Sequence, residues 1–265
     1  MRSNETQYKI YQVNAFTDIL FKGNPACVVP LKEWLPDEIL LKIAKENAVA
    51  ETAYFIEHKD HFHLRWFTPD IEMDLCGHAT LAASHIIKSE LNSTDEIKFR
   101  TLSGDLFVCC KEGLYNLNLP SRQAISAELP NVIKSSLSIQ PEYVLKSRDY
   151  LLVYKKEQDI KALDINRNNF DKINLGHGGV IATAKGDNVD FVSRFFTPQA
   201  TILEDPVTGS AHCSLIPYWA NILSKDKLIA SQCSERGGIL YCKNKGERVI
   251  ISGKAITYSK GMFRI

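Results

Sequence analysis

Nowhere in the chain do eighteen apolar residues follow one another, so the sequence offers no membrane-spanning helix. Excess charge of one sign is also lacking. The 32 Lys and Arg against 31 Asp and Glu leave a formal charge of +1. No Lys/Arg block stands out, which argues against nucleic acid or a membrane surface as partner. Cysteines number seven, an odd count, and Cys27, Cys76, Cys109, Cys110, Cys213, Cys233 and Cys242 show no C-x-x-C spacing. Neither a disulfide framework nor a zinc centre is expected from that pattern. The opening MRSNETQYKIYQVNAF is polar where a signal peptide needs an apolar run, so the expectation is a soluble, cytoplasmic protein.

What is present is globular. Hydrophobic content of 45% and charged content of 24% sit at the averages of folded domains. A length of 265 residues suits one large domain or two of about 130. A repeated motif favours two. RWFTPDIEMDLCGHATLAASHI, from Arg65, and RFFTPQATILEDPVTGSAHCSLI, from Arg194, share a plan: a β-rich Arg-aromatic-Phe-Thr-Pro, a polar segment, a glycine turn and an apolar helix pattern. Pro69 to Gly77 is eight positions and Pro198 to Gly209 is eleven, so the second copy carries a three-residue insertion.

Around these motifs the periodicity predicts short strands and few helices. YKIYQVNAF alternates like a strand and PACVVPL follows a Gly23-Asn24-Pro25 turn. PDEILLKIAKEN reads as an amphipathic helix with Ile39, Leu40, Ile43 and Ala44 on one face. HATLAASHIIKSE and the segment from Ser210 read as helices apolar around most of their circumference, with Pro217 removing one backbone donor from the second. Such helices need cover on all sides, and a curled sheet supplies it. The expected fold class is therefore α+β, as two similar barrel-like domains, each a mostly antiparallel sheet around a central helix. The boundaries are 1–120 and 121–265, with the polar, proline-bearing segment from Ser121 as the connection and the last strand free to return to the first domain.

The two glycine turns each open a helix, where unsatisfied N–H groups and the dipole favour anions. Gly77 and Gly209 would let a ligand approach those amides, if they do more than turn the chain. With both helix starts at a cleft between domains, a small carboxylate, or charge developing as a C–H proton leaves, would be cradled. His78 at a positive dipole end would stay neutral and act in hydrogen bonding. His78 and Asp205 read equally as caps. Asp70, Glu72 and Asp74 read as a solvated turn. Glu51 leads into an apolar strand. Buried there, its pKa would rise toward neutrality, the condition for taking and returning a proton; exposed, it is a strand-end cap.

Five segments together, GNPACVV, AETAYFI, RWFTPDIEMDLCGHATLA, RFFTPQATILEDPVTGSAH and QCSERGG, closely resemble the PhzF-like family, named for the phenazine-biosynthesis isomerase and sharing the diaminopimelate epimerase fold. The resemblance spans Tyr8 to Ile265. It implies a cofactor-independent isomerase in which a glutamate, here Glu51, moves a proton on a small carboxylate. It further implies substrate-binding roles for His78, Asp205 and Ser210, with Gly77 and Gly209 in the cradle, and a homodimer. Diaminopimelate epimerases use one cysteine per domain as opposed acid and base. Cys76 stands at the first of those positions, but Thr208 stands at the second, and Cys213 is the nearby substitute with a different geometry. A racemase or epimerase based on Cys76, and a small-carboxylate binding protein without chemistry, remain as alternatives.

Overall fold

The computed structural model describes residues 6–91 and 96–265; residues 1–5 of the polar opening lie outside them. The chain divides into two compact units. One comprises the residues up to Leu117 together with Gly253–Ile265, and the other is Asn118–Ser252.

The first unit begins with β1 (Gln7–Ala15), β2 (Asn24–Leu31), α1 (Asp37–Asn47), β3 (Glu51–Glu57), β4 (Phe62–Phe67), β5 (Glu72–Met73) and α2 (Gly77–Leu91). It continues through β6 (Glu96–Thr101), β7 (Gly104–Lys111) and the first residues of β8 (Leu114–Pro120). The second unit contains β9 (Ile125–Ser126), α3 (Asn131–Lys134), β10 (Tyr143–Lys146), β11 (Tyr150–Val153), α4 (Glu157–Ala162) and α5 (Arg167–Phe170). After these come β12 (Val180–Lys185), β13 (Phe191–Phe196), α6 (His212–Leu223), β14 (Lys227–Gln232), β15 (Gly238–Asn244) and β16 (Arg248–Gly253). The last strand, β17 (Ala255–Arg264), pairs antiparallel with β1.

Each unit runs the same circuit. In the first, β1 and β2 are antiparallel, β2 and β3 parallel, β3 and β4 antiparallel, β4 and β6 parallel, and β6 and β7 antiparallel. In the second, β10 to β11, β12 to β13 and β14 to β15 are antiparallel, while β11 to β12 and β13 to β14 are parallel. A parallel pair cannot be closed by a tight turn, so each crossover carries helix: α1 and α2 in one unit, α4 with α5 and then α6 in the other.

The second crossover helix is the buried one in both. In α2 the residues from Gly77 to Ser84 are all buried, and it lies against β1, β2, β3 and β17. Along α6, His212 to Pro217 are buried, and Trp219 stacks on Phe191 of β13 while its Nε1 donates to Thr183 Oγ1 of β12 at 2.9 Å. The amphipathic α1 instead covers the sheet from one side, placing Leu40, Ile43 and Ala44 among Val29, Tyr54, Ile56 and Phe67. Pro217 deprives Cys213 of its helical donor; the Arg122 amide replaces it, donating to the Cys213 carbonyl at 2.8 Å.

Candidate active site

Glu51 is placed by the end of α1. Ala48 takes a left-handed conformation, φ 52° and ψ 31°, and its amide donates to Ala44 O, so the helix stops and the chain enters β3 within three residues. Asn47 Nδ2 donates to Thr52 Oγ1 at 3.0 Å, fixing Thr52 on the helix side. Strand neighbours face opposite ways, which turns Glu51 away from Thr52. Its carboxylate ends 3.1 Å from Nε2 of His78, in the first turn of α2, with side-chain exposures of 12% and 2%. The two atoms have the spacing of an ion pair without the alignment of a hydrogen bond, and Glu51 Oε2 and His78 Nε2 are both buried and without a hydrogen-bonded partner. Glu51 is thus not a water-exposed strand-end cap.

The other face of the imidazole meets Cys76, whose Sγ lies 3.5 Å from His78 Nδ1. Burial pushes the Cys76 thiol up to about 11, the Glu51 charge adds to this, and His78 and the Ala79 amide offset part of it. For His78, burial is the largest single influence and disfavours the cation. The Glu51 carboxylate and the Cys76 sulfur beside it act the other way, and the net direction for the imidazole is upward. That direction runs against the neutral His78 expected from the helix start, because the Glu51 carboxylate 3.1 Å away opposes the roughly half charge of a helix terminus. Gly77 opens α2 and is buried.

The acidic segment before this turn is not simply solvated. Arg65 grips Glu72 with a two-pronged contact, Nε to Oε1 and Nη2 to Oε2 both at 2.7 Å, and its guanidinium stands over the Phe67 ring at 5.1 Å. The same brace recurs in the second unit. Arg194 holds Glu204 at 2.7 Å on both prongs and stands over Phe196 at 4.8 Å. The Arg of each Phe-Thr-Pro motif and the acid downstream of it were both visible in the sequence; their pairing was the signal to find.

Downstream of Glu204, Thr208 Oγ1 donates to Asp205 Oδ2 at 2.6 Å. Gln232, 1% exposed, clamps the turn: its Oε1 accepts from the Thr208 amide at 2.8 Å and its Nε2 donates to Asp205 O at 2.7 Å and Thr208 Oγ1 at 3.1 Å. Ser234 Oγ donates to Pro206 O at 2.7 Å and accepts from the Gly237 amide at 3.1 Å. The QCSERGG segment thus has a physical role, which the sequence did not disclose: it fixes the backbone that carries Asp205 and Thr208.

Gly209 and Ser210 precede α6, which starts at His212, two residues later than the pattern suggested; the His212 amide donates to Gly209 O at 3.0 Å. Ser210 Oγ accepts from Arg148 Nη2 at 3.0 Å, so its own proton is available to a ligand oxygen. Asp149, 1% exposed, steadies Arg148 at 3.2 and 3.3 Å and also accepts from the Gly179 amide at 2.9 Å. Arg148 is the residue of this region that sequence reading missed, because it lies 62 positions from Ser210. Cys213 is buried, and burial pushes its thiol up to about 11 with Arg122 and Arg148 offsetting part, which makes it a poor second acid or base.

A family model described as phenazine biosynthesis-like protein matches residues 13–261. The chain belongs to the PhzF-like family. It is 43% identical over 258 residues to a protein of Pseudomonas aeruginosa described as an uncharacterized isomerase, covering 97% of this chain and 98% of that one. A crystal structure of a PhzF-family phenazine biosynthesis protein from Enterococcus faecalis superposes with a TM-score of 0.91 at 40% identity, covering 98% and 100% of the two chains. At 9% identity, a probable proline racemase from Agrobacterium radiobacter shares the fold alone, with a TM-score of 0.62 and coverage of 96% and 92%. The fold of this PhzF-like chain is the expected α+β architecture, and its likeness to epimerase-fold proteins is the one the resemblance implies. No helix among the described residues is long and apolar enough to cross a membrane.

Proposed function

We propose that this PhzF-like protein is a cofactor-independent isomerase of a small carboxylate, in which Glu51 takes a proton from one carbon and returns it to another. His78 pairs with the Glu51 carboxylate and holds it in position. Gly77, Asp205, Gly209 and Ser210 bind the substrate, the Ser210 hydroxyl being oriented as a donor by Arg148. The isomerase names of the relatives support the reaction class, and the burial of Glu51 against His78 is the observation that carries the assignment to this residue. The carboxylate is held at one oxygen, Oε2, by the His78 contact at 3.1 Å, which leaves the other oxygen as the one to meet a substrate C–H.

The alternative base, Cys76, is disfavoured by its environment. A racemase needs a thiolate, and burial with Glu51 nearby favours the protonated thiol at Cys76. Thr208, at the second thiol position, donates its hydroxyl proton to Asp205 and cannot serve as an opposed acid.

Glu51→Gln is expected to lower turnover by roughly 10²–10⁴-fold, the usual worth of a positioned acid–base group. Wild-type turnover in that variant would refute the assignment. Ser210→Ala is expected to act mainly on KM.

A further inference from the structure

Among the described residues, Glu51, Cys76 and His78 form the one group of three in which carboxylate, thiol and imidazole donor atoms all lie within 4.8 Å of one another. Nothing in a proton-shift mechanism requires a thiol beside the imidazole. Two of the donors, Glu51 Oε2 and His78 Nε2, are buried, face each other at 3.1 Å, and have no hydrogen-bonded partner. Tetrahedral zinc with bond lengths of about 2.0–2.3 Å needs donors roughly 3.3–3.7 Å apart. The O···N separation is already close to that spacing. Cys76 Sγ lies 3.5 Å from the other ring nitrogen, and one donor atom from each of the three residues falls within 4.8 Å of the others, so a common ion requires the Cys76 side chain to turn toward the carboxylate.

We propose that Glu51, Cys76 and His78 form a binding site for a thiophilic divalent cation of the zinc class, and that the ion silences the enzyme by capturing the carboxylate. The donor set makes the choice. One sulfur, one imidazole nitrogen and one carboxylate oxygen suit zinc, whereas calcium and magnesium take oxygen ligands. Binding the ion releases the Cys76 thiol proton, and any proton on the ligating His78 nitrogen, to solvent; the resulting thiolate and the Glu51 carboxylate match the 2+ charge, which removes the cost of burying an unpaired ion. Three protein ligands leave a fourth position for water or for a substrate oxygen. The ligation itself stands on geometry. Only the inhibitory consequence rests on the reading of Glu51 as the proton shuttle.

Cobalt(II) is the probe, because a cysteine ligand announces itself by a sulfur-to-cobalt charge-transfer band in the near ultraviolet. Titration of the wild-type protein is expected to give that band with one cobalt bound per chain, and added zinc is expected to abolish it. Cys76→Ser is expected to remove the band. His78→Gln is expected to weaken cobalt binding by at least the roughly 10–100-fold that even a supporting residue is worth. Absence of the band in the wild type, or its survival in Cys76→Ser through cysteines such as Cys109 and Cys110, would overturn the proposal. Should the serine variant fail to fold, zinc-edge X-ray absorption on the wild type decides instead: one sulfur with nitrogen and oxygen neighbours supports the site, and an all-nitrogen and oxygen shell contradicts it. If Glu51→Gln retained turnover while the wild-type band was present, the catalytic reading would fail and the cation site would stand.

Discussion

Two units with the same circuit of strands and the same Arg–Glu brace differ where chemistry is concerned. In the register of the sheets, Thr52 of β3 opposes Phe67 and Val180 of β12 opposes Phe196, so Glu51 and Gly179 occupy matching positions. The first unit carries a carboxyl there. In the second, even a Cβ at Gly179 would meet the Phe195 ring at 2.4 Å and Phe196 O at 2.8 Å. Similarly, Cys76-Gly77-His78 corresponds to Thr208-Gly209-Ser210. One turn surrounds itself with groups that gain and lose protons, the other with hydroxyls, a fixed arginine and a clamping amide. The two units share a scaffold, and the clustered carboxylate, thiol and imidazole of Glu51, Cys76 and His78 stand in the first.

The braces test whether the scaffold is shared. Removing one partner of a poorly exposed ion pair costs on the order of 3 kcal/mol, so Arg65→Met and Arg194→Met should each shift urea denaturation by about that amount. The second should cost more. Arg194 Nη1 also donates to the carbonyls of Ile160 and Leu163, at 3.2 and 2.6 Å, and its loss removes both bonds. Equal costs would mean those carbonyl bonds contribute little.

A pH-dependent difference follows from the buried histidine of the second unit. His212 is fully buried with Nδ1 donating to Thr208 O at 2.8 Å, and burial lowers its pKa to about 4. The folded pKa lies below the unfolded value of about 6.5. The unfolded chain therefore binds a proton first as pH falls, and the stabilisation present above pH 6.5 is lost between there and about 4. The loss is about 3 kcal/mol, measurable as a fall in denaturation midpoint that His212→Gln would flatten. The smallest expected effect is that of Gly179→Ala, about 1–3 kcal/mol for overpacking against Phe195. Stability unchanged in that variant would mean that the position tolerates a side chain and that the contrast with Glu51 is one of selection rather than space.

Legibility in the sequence followed periodicity. The amphipathic α1 and the mostly apolar α2 are readable to within a residue or two, because a 3.6-residue pattern and a helix apolar around most of its circumference are both strong signals. The short α3, α4 and α5 were not, since four to six residues give no period to detect. Among site residues, Glu51 and His78 stood out through their apolar surroundings, and their meeting at 3.1 Å could not be read from positions 27 apart. Gln232 is legible only as the start of QCSERGG, without a role, and Arg148 not at all, because a polar residue in a strand or turn looks like surface until its partners are known. Glu72 was misjudged as solvated for the converse reason: an acid in a polar turn carries no mark of the arginine waiting in the preceding strand.

The most direct test of Glu51 as the proton carrier is deuterium incorporation. Candidate small carboxylates are incubated with the protein in heavy water and followed by proton NMR, comparing wild type, Glu51→Gln and Cys76→Ala. The account predicts exchange at a carbon-bound position in the wild type, persistence in Cys76→Ala, and loss in Glu51→Gln. Exchange that survives without Glu51 and disappears without Cys76 would contradict it.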